Sequence, residues 1–163
     1  MDKIDWSTYA IHDDRRIHGF FGKYRFLSNF HHCDIRYEGL IYPSTEHAFQ
    51  AAKYDSQEKR FECLAMTCGQ VKRWGQKARL PNNWNEERLF VMYKLQAIKF
   101  LSHKSIQEDL ILTGGKSLCE TNHWMDNFWG CDYRTPKLGQ NNLGRILEIV
   151  RWRLEQRWRN YEV

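Results

Sequence analysis

The sequence lacks most of the features that mark a specialised class of protein. Five cysteines are an odd number with no C-x-x-C spacing, so neither a closed disulfide framework nor a zinc ribbon is indicated, and reduced thiols are expected. Seven histidines include the pair His31-His32 but no H-E-x-x-H or other ligand spacing, so no metal and no cofactor is called for. The longest apolar runs, Leu89–Phe90–Val91–Met92 and Ile146–Leu147, are interrupted by charge far short of a membrane-spanning length. Met1-Asp2-Lys3-Ile4-Asp5-Trp6 has neither the basic start nor the apolar core of a secretory signal, which predicts a cytoplasmic protein with no membrane association. Internal repeats, low-complexity tracts and linkers are also missing.

What is there fits one domain. A chain of 163 residues, 42% hydrophobic and 28% charged, is long enough to bury a real core and short of room for two. A net charge of +5 and a pI near 9.0 favour anionic partners such as phosphates. Aromatic residues make up 15% of the chain and include seven tryptophans, more than a small core needs, so some rings are available to stack on a base.

Residues 1–18 are polar, with Asp13-Asp14-Arg15-Arg16 showing no helical or strand period, and read as an arm; residues 19–163 read as the domain. Gly19-Phe20-Phe21-Gly22 suggests an extended segment ending in a loop, where backbone could approach a ligand. Period-two runs on either side of Glu38-Gly39 predict a β-hairpin over 34–42. Pro43-Ser44-Thr45-Glu46 supplies a breaker, a hydroxyl cap and an acid, the clearest helix start in the chain. Further helices are expected over 56–67, 70–78, 84–102, 105–112 and 142–158, and a strand over 117–120. In the last helix, Leu143, Ile146, Leu147, Val150, Leu154 and Trp158 form one face with arginines opposite. Residues 124–140 have no sustained period and read as a functional loop. The sum is a mainly α-helical α+β fold, a compact single domain with a short β-hairpin and a small sheet.

Three constellations could carry chemistry. Glu46, Gln50 and Lys53 fall at i, i+4 and i+7, placing a carboxylate, an amide and an ammonium on one helical face. A solvated polar face is the bland reading; against it, the helix is otherwise Ala- and Phe-rich and so largely buried, and a buried carboxylate needs partners. Thr113-Gly114-Gly115-Lys116-Ser117 ends like a phosphate loop but has Leu110 where that motif requires glycine, and reads as a helix cap and turn. Trp124-Met125-Asp126-Asn127-Phe128-Trp129-Gly130-Cys131-Asp132, running into Gly139-Gln140-Asn141-Asn142-Leu143-Gly144-Arg145, is either a packed loop or a base-stacking wall with polar groups for sugar and phosphate.

These pieces, in this order, resemble the YbiA-like or NADAR (NAD- and ADP-ribose-associated) family. The resemblance runs from Phe21 to Arg151 through Phe21-Gly22, Leu27-Ser28-Asn29-Phe30, the stretch from Tyr42 to Lys53, Trp84, Met92, Lys99-Phe100, Leu118-Cys119-Glu120, Trp129-Gly130 and Gly139 to Arg145. It implies a small helical fold and hydrolysis of an N-glycosidic bond in a phosphorylated N-riboside. The implied substrate is either ADP-ribose on a nucleobase, as in ADP-ribosyl-guanine carried in DNA, or a ribosylamino-pyrimidine phosphate of riboflavin biosynthesis. It makes Glu46 the central catalytic residue, Glu120 or Asp132 the second carboxyl, and Phe21, Gly22, Asn29, Lys53, Trp84, Trp129, Gly130 and Asn141 members of the substrate pocket. Lys53 would hold a ribose or phosphate oxygen, Trp129 or Trp84 would stack the leaving base, and Asn29 and Asn141 would fix sugar hydroxyls. The alternative is a non-catalytic module binding ADP-ribose or NAD in the same pocket, and the oligomeric state is open.

Overall fold

A computed structural model describes residues 15–134 and 138–161. In chain order the elements are β1 (Arg16–His18), a 3-10 helix (Gly22–Leu27), β2 (His32–Tyr37), β3 (Leu40–Ser44), α1 (Thr45–Ala51), α2 (Gln57–Glu62), a 3-10 turn (Cys63–Ala65), α3 (Cys68–Gly75), α4 (Trp84–Ser102), α5 (Lys104–Leu112), β4 (Ser117–Cys119), β5 (Thr121–Asn122), β6 (Cys131–Asp132) and α6 (Asn142–Tyr161). This is the mainly helical α+β class that the periodicities predict. Among the described residues the strands form three two-stranded sheets, one of them the hairpin. Among the described residues no helix is long and apolar enough to cross a membrane. The chain divides into two units, residues 29–104 and the segments on either side of them.

In the 29–104 unit, β2 and β3 form the predicted hairpin, antiparallel with Ile35 opposite Tyr42 and Tyr37 opposite Leu40. Glu38 and Gly39 both adopt positive φ, 45° and 83°, the pairing whose twist matches that of the strands it joins. Alternation along the hairpin buries Ile35, Tyr37, Tyr42 and Ser44, and the chain then passes directly into α1. Ser44 caps α1 by accepting from the His47 backbone N–H, and every residue of α1 is buried. The helix expected over 56–67 is broken: no residue of α2 is buried, so packing does nothing to prolong it, and the chain tightens into a 3-10 turn that brings Cys63 inside. α3 opens on a reciprocal Thr67–Gln70 capping box, two residues earlier than expected. α4 has the expected ends, but its buried face is Trp84, Met92, Leu95, Gln96, Lys99 and Phe100, whereas Leu89 and Phe90 are 39% and 58% exposed. Two polar residues, Gln96 and Lys99, thus lie among apolar ones in its inward stripe.

In the other unit, β1 pairs in parallel with β4, Ile17 opposite Leu118, and both side chains are fully buried. The end of the expected arm is therefore a strand; three residues with one inward side chain are too few to show a period. Residues 1–14, the rest of that arm, lie outside the described residues. The loop expected after Gly19-Phe20-Phe21-Gly22 is a 3-10 helix. α6 packs on β4 and buries Leu143, Ile146, Leu147, Val150 and Leu154, as its spacing predicts, while Trp158 is 44% exposed. Nor do all its arginines face outward: Arg151 is buried, and its Nη1 donates to Thr113 Oγ1 at 2.7 Å and to the Lys116 carbonyl at 2.9 Å.

Candidate functional site

The first set of candidate residues lies in the 29–104 unit and is organised by α1. Glu46 is 5% exposed although it carries a carboxylate. Its backbone N–H donates to the Asn29 carbonyl at 3.0 Å, and its Oε1 accepts from Gln50 Nε2 at 2.9 Å, the i+4 contact that one helical face provides. Gln50 is itself buried and lies against Gly75 of α3. A Cβ on Gly75 would overlap Gln50 Oε1 and stand 2.7 Å from its Cδ, so glycine there is what lets the amide reach Glu46.

Lys53, seven residues after Glu46, is half-buried, and its ammonium donates to the Gly75 carbonyl at 3.2 Å. It lies 5.8 Å from the Phe49 ring centroid and 5.9 Å from that of Trp84. Burial lowers the Lys53 pKa from its ordinary value, and the negative charge of Glu46 opposes that shift, so the two groups feel one another electrostatically. Trp84 packs on Phe49 with centroids 5.4 Å apart and is only 5% exposed. That burial corrects the expectation that its ring could serve as a base-stacking wall; it belongs to the floor beneath Lys53.

Asn29 is half-exposed, and its Oδ1 accepts from Gln96 Nε2 at 2.6 Å. Sequence reasoning missed Gln96. The available signal was a polar residue four positions after Met92, inside the inward stripe of a long helix. Gln50 stood in the right helical pattern but was not singled out as a site residue. Next to Glu46, His47 is buried with Nε2 on the Met66 carbonyl at 2.8 Å and Nδ1 on Ser44 Oγ at 2.7 Å, and burial lowers its pKa. The carbonyl can only accept, so Nε2 carries the proton and Nδ1 receives the Ser44 hydroxyl. This pair fixes the start of α1.

The second set lies in the other unit, around β5 and β6. Asp132 is 2% exposed and its carboxylate is saturated. Oδ1 accepts from the Arg134 backbone N–H at 3.0 Å and from Arg134 Nε at 2.9 Å, while Oδ2 accepts from Arg134 Nη2 at 2.9 Å and from the Met125 backbone N–H at 3.1 Å. The Arg134 guanidinium holds this carboxyl well below the usual carboxylate range. With its lone pairs taken and its ionised form so favoured, Asp132 is not built to deliver a proton. Its expected place as the second catalytic carboxyl is corrected to that of a staple for the 125–134 turn.

Asn141 is also a clamp. Its Oδ1 accepts from the Glu120 backbone N–H at 3.0 Å, its Nδ2 donates to the Leu118 carbonyl at 2.8 Å, and its backbone N–H donates to the Gly130 carbonyl at 3.2 Å. Both ends of the amide expected to fix a sugar hydroxyl are thereby tied to backbone. Gly130 is required by a close approach: a Cβ there would overlap the Glu120 carbonyl oxygen and stand 2.9 Å from Glu120 Cγ. Trp129 is half-exposed, edge-on to Phe128 at 4.9 Å, with its backbone N–H donating to Asp126 Oδ1 at 2.9 Å. Asn122, also missed, binds the Trp124 and Asp126 N–H groups and the Asp126 carbonyl, shaping this turn. Phe21 is half-exposed at the start of the 3-10 helix, and Gly22 has φ of 53° with open space about its Cα. Among the described residues no three His, Cys, Asp or Glu side chains are grouped as metal ligands.

Each unit thus assembles its own candidates: Glu46, Asn29, Lys53 and Trp84 in one; Glu120, Trp129, Gly130, Asp132 and Asn141 in the other. The chain is 32% identical to an N-glycosidase of Nostoc punctiforme over 78% of its length and 84% of that protein's. It is likewise 32% identical to N-glycosidase YbiA of Escherichia coli, over 78% of the chain and 80% of YbiA. A riboflavin biosynthesis protein of Vibrio vulnificus is 37% identical over 80% of the chain, but the chain spans only 36% of that longer protein. The NMR structure of Escherichia coli YbiA superposes with a TM-score of 0.78 at 28% identity, covering 90% of this chain and 89% of that one. The sequence profile of the NADAR domain matches residues 15–155, and the chain belongs to the NADAR domain family.

Proposed function

We propose that this chain hydrolyses the N-glycosidic bond of a phosphorylated N-riboside, with Glu46 as the catalytic carboxylate. N-glycosidase activity is supported by its relatives in Nostoc punctiforme and Escherichia coli, matched over most of both chains. The observation that carries the residue assignment is the burial of Glu46 between a backbone anchor on Asn29 and a neutral amide donor, Gln50.

Cleavage of a ribosyl C1′–N bond develops positive charge on the sugar before water's oxygen bonds to C1′. The bonding pair leaves with nitrogen, which ends protonated. A carboxylate held in a dry site stabilises that cation and takes a proton from the attacking water. Gln50 orients the carboxylate without neutralising it. α1 is only seven residues long, so its macrodipole contributes little, and the opposite charge of the Lys53 ammonium interacts with Glu46. Lys53, on the same helical face as Glu46, is assigned to substrate binding, which Lys53→Met tests.

The substrate is ADP-ribose on a nucleobase, free or within DNA, or a ribosylamino-pyrimidine phosphate, acted on in the cytoplasm. The test incubates the wild type and Glu46→Gln with an ADP-ribosyl-guanine oligonucleotide, NAD and a ribosylamino-pyrimidine phosphate, following base release by chromatography. Turnover of one substrate that disappears in a folded Glu46→Gln protein is the expected result. Binding without turnover by the wild type would make the chain a binding module instead.

A further inference from the structure

Gln96 is a fully buried amide on α4, in a row with Met92 and Lys99. Its Nε2 donates to Asn29 Oδ1 at 2.6 Å and faces Met92 Sδ at 3.7 Å, while its own Oε1 is buried without a partner. A thioether sulfur is a weak acceptor and never a donor, so the amide end beside it is the NH2 end. That sets the polarity of the contact: Gln96 gives and Asn29 receives. The Asn29 amide is therefore held by its oxygen, and its Nδ2 takes no part in that contact. Through its backbone carbonyl the same Asn29 accepts from Glu46 N–H, so one half-exposed residue is fixed on one side by Gln96 and on the other by the start of the catalytic helix.

A buried glutamine with an orphaned oxygen is a poor choice for a core, and such an atom calls for a reason other than stability. We propose that Gln96 is a positioning residue that locks the Asn29 side chain with its NH2 offered to the substrate, so that the site selects a ribose or phosphate oxygen beside Glu46. The inference rests on the N-glycosidase reading and names which polarity of ligand group that site accepts at this point.

Two variants test it. Gln96→Leu removes the donor and the orphaned acceptor, and leaves the half-exposed Asn29 amide free to turn. Gln96→Glu introduces a carboxyl that donates like the amide when protonated but only accepts when ionised, which draws Asn29 Nδ2 inward and reverses the amide. With the turned-over substrate, Gln96→Leu is expected to raise KM with kcat changed less than about threefold. A neutral ligand oxygen corresponds to an increase of about three- to tenfold, and an anionic phosphate oxygen to a larger one. Gln96→Glu is expected to show a KM that rises with pH through the titration of the new carboxyl, while the wild type is flat over that range. Unchanged KM in both folded variants, or kcat falling only in proportion to the folded fraction, overturns the proposal. If the wild type hydrolyses none of the substrates, the N-glycosidase reading falls by itself. The positioning is then read from the Asn29 Nδ2 resonances in a 15N NMR titration with ribose 5-phosphate and ADP-ribose: a shift lost in Gln96→Leu supports it, and no shift in the wild type overturns it.

Discussion

Glu46 and Asp132 are both buried carboxylates, 5% and 2% exposed, and their surroundings differ in kind. Asp132 sits in a set of four hydrogen bonds, a two-point guanidinium contact and two backbone N–H groups, which leave it nothing to do but hold the chain. Glu46 is met by a neutral amide on its own helix and feels a lysine ammonium nearby. Burial by itself therefore does not fix what a carboxylate does. The two differ in the partners they are shown with: a guanidinium grips Asp132 at two points, whereas Gln50 brings Glu46 an amide with no opposite charge.

Substitutions that exchange the two behaviours test this contrast. Glu46→Gln keeps the shape and the contact with Gln50, and should lower base release by about 10²–10⁴-fold while the thermal midpoint stays nearly unchanged; a large loss of stability with activity retained would reverse the assignment. Lys53→Met should raise KM about tenfold through loss of a charged donor. Because the folded pKa of Lys53 lies below its ordinary 10.5, the unfolded chain binds more protons there, and the wild type should gain stability relative to Lys53→Met as pH rises between the two values in denaturant titrations. Gly75→Ala should cost about 1–3 kcal/mol, because its Cβ displaces Gln50, and should reduce activity by more than the unfolded fraction explains. Asp132→Asn should lower the thermal midpoint while folded molecules keep their kcat. The Asp132 pKa is depressed on folding, so the stability advantage of the wild type is complete above the ordinary carboxyl value of 3.8 and fades as pH falls from there toward the folded value.

Much of this was legible in the residues. The hairpin over 34–42, the Ser44 cap, both ends of α4 and the inward face of α6 follow from period, turn chemistry and capping, which are local properties of the chain. Glu46, Gln50 and Lys53 share a helical face by arithmetic alone. The short elements escaped notice, β1 and the two 3-10 segments among them, because three to six residues hold too little periodicity to register. Trp84, Asp132 and Asn141 carried the right residue types for a pocket, but only their neighbours show that one is floor, one a staple and one a clamp.

The sequence by itself determined the fold class, the family and the position of Glu46 in the first turn of a buried helix, since each depends on contacts within a few residues or on an ordered set of motifs. The tertiary structure decided which polar atoms are spent and which are held ready. That depends on partners distant along the chain: Gly75 making room for Gln50, Gln96 reaching Asn29, and Asn141 spanning Leu118 and Glu120. A hydrogen bond is settled by distance and angle in space, and no local pattern of residue types encodes either.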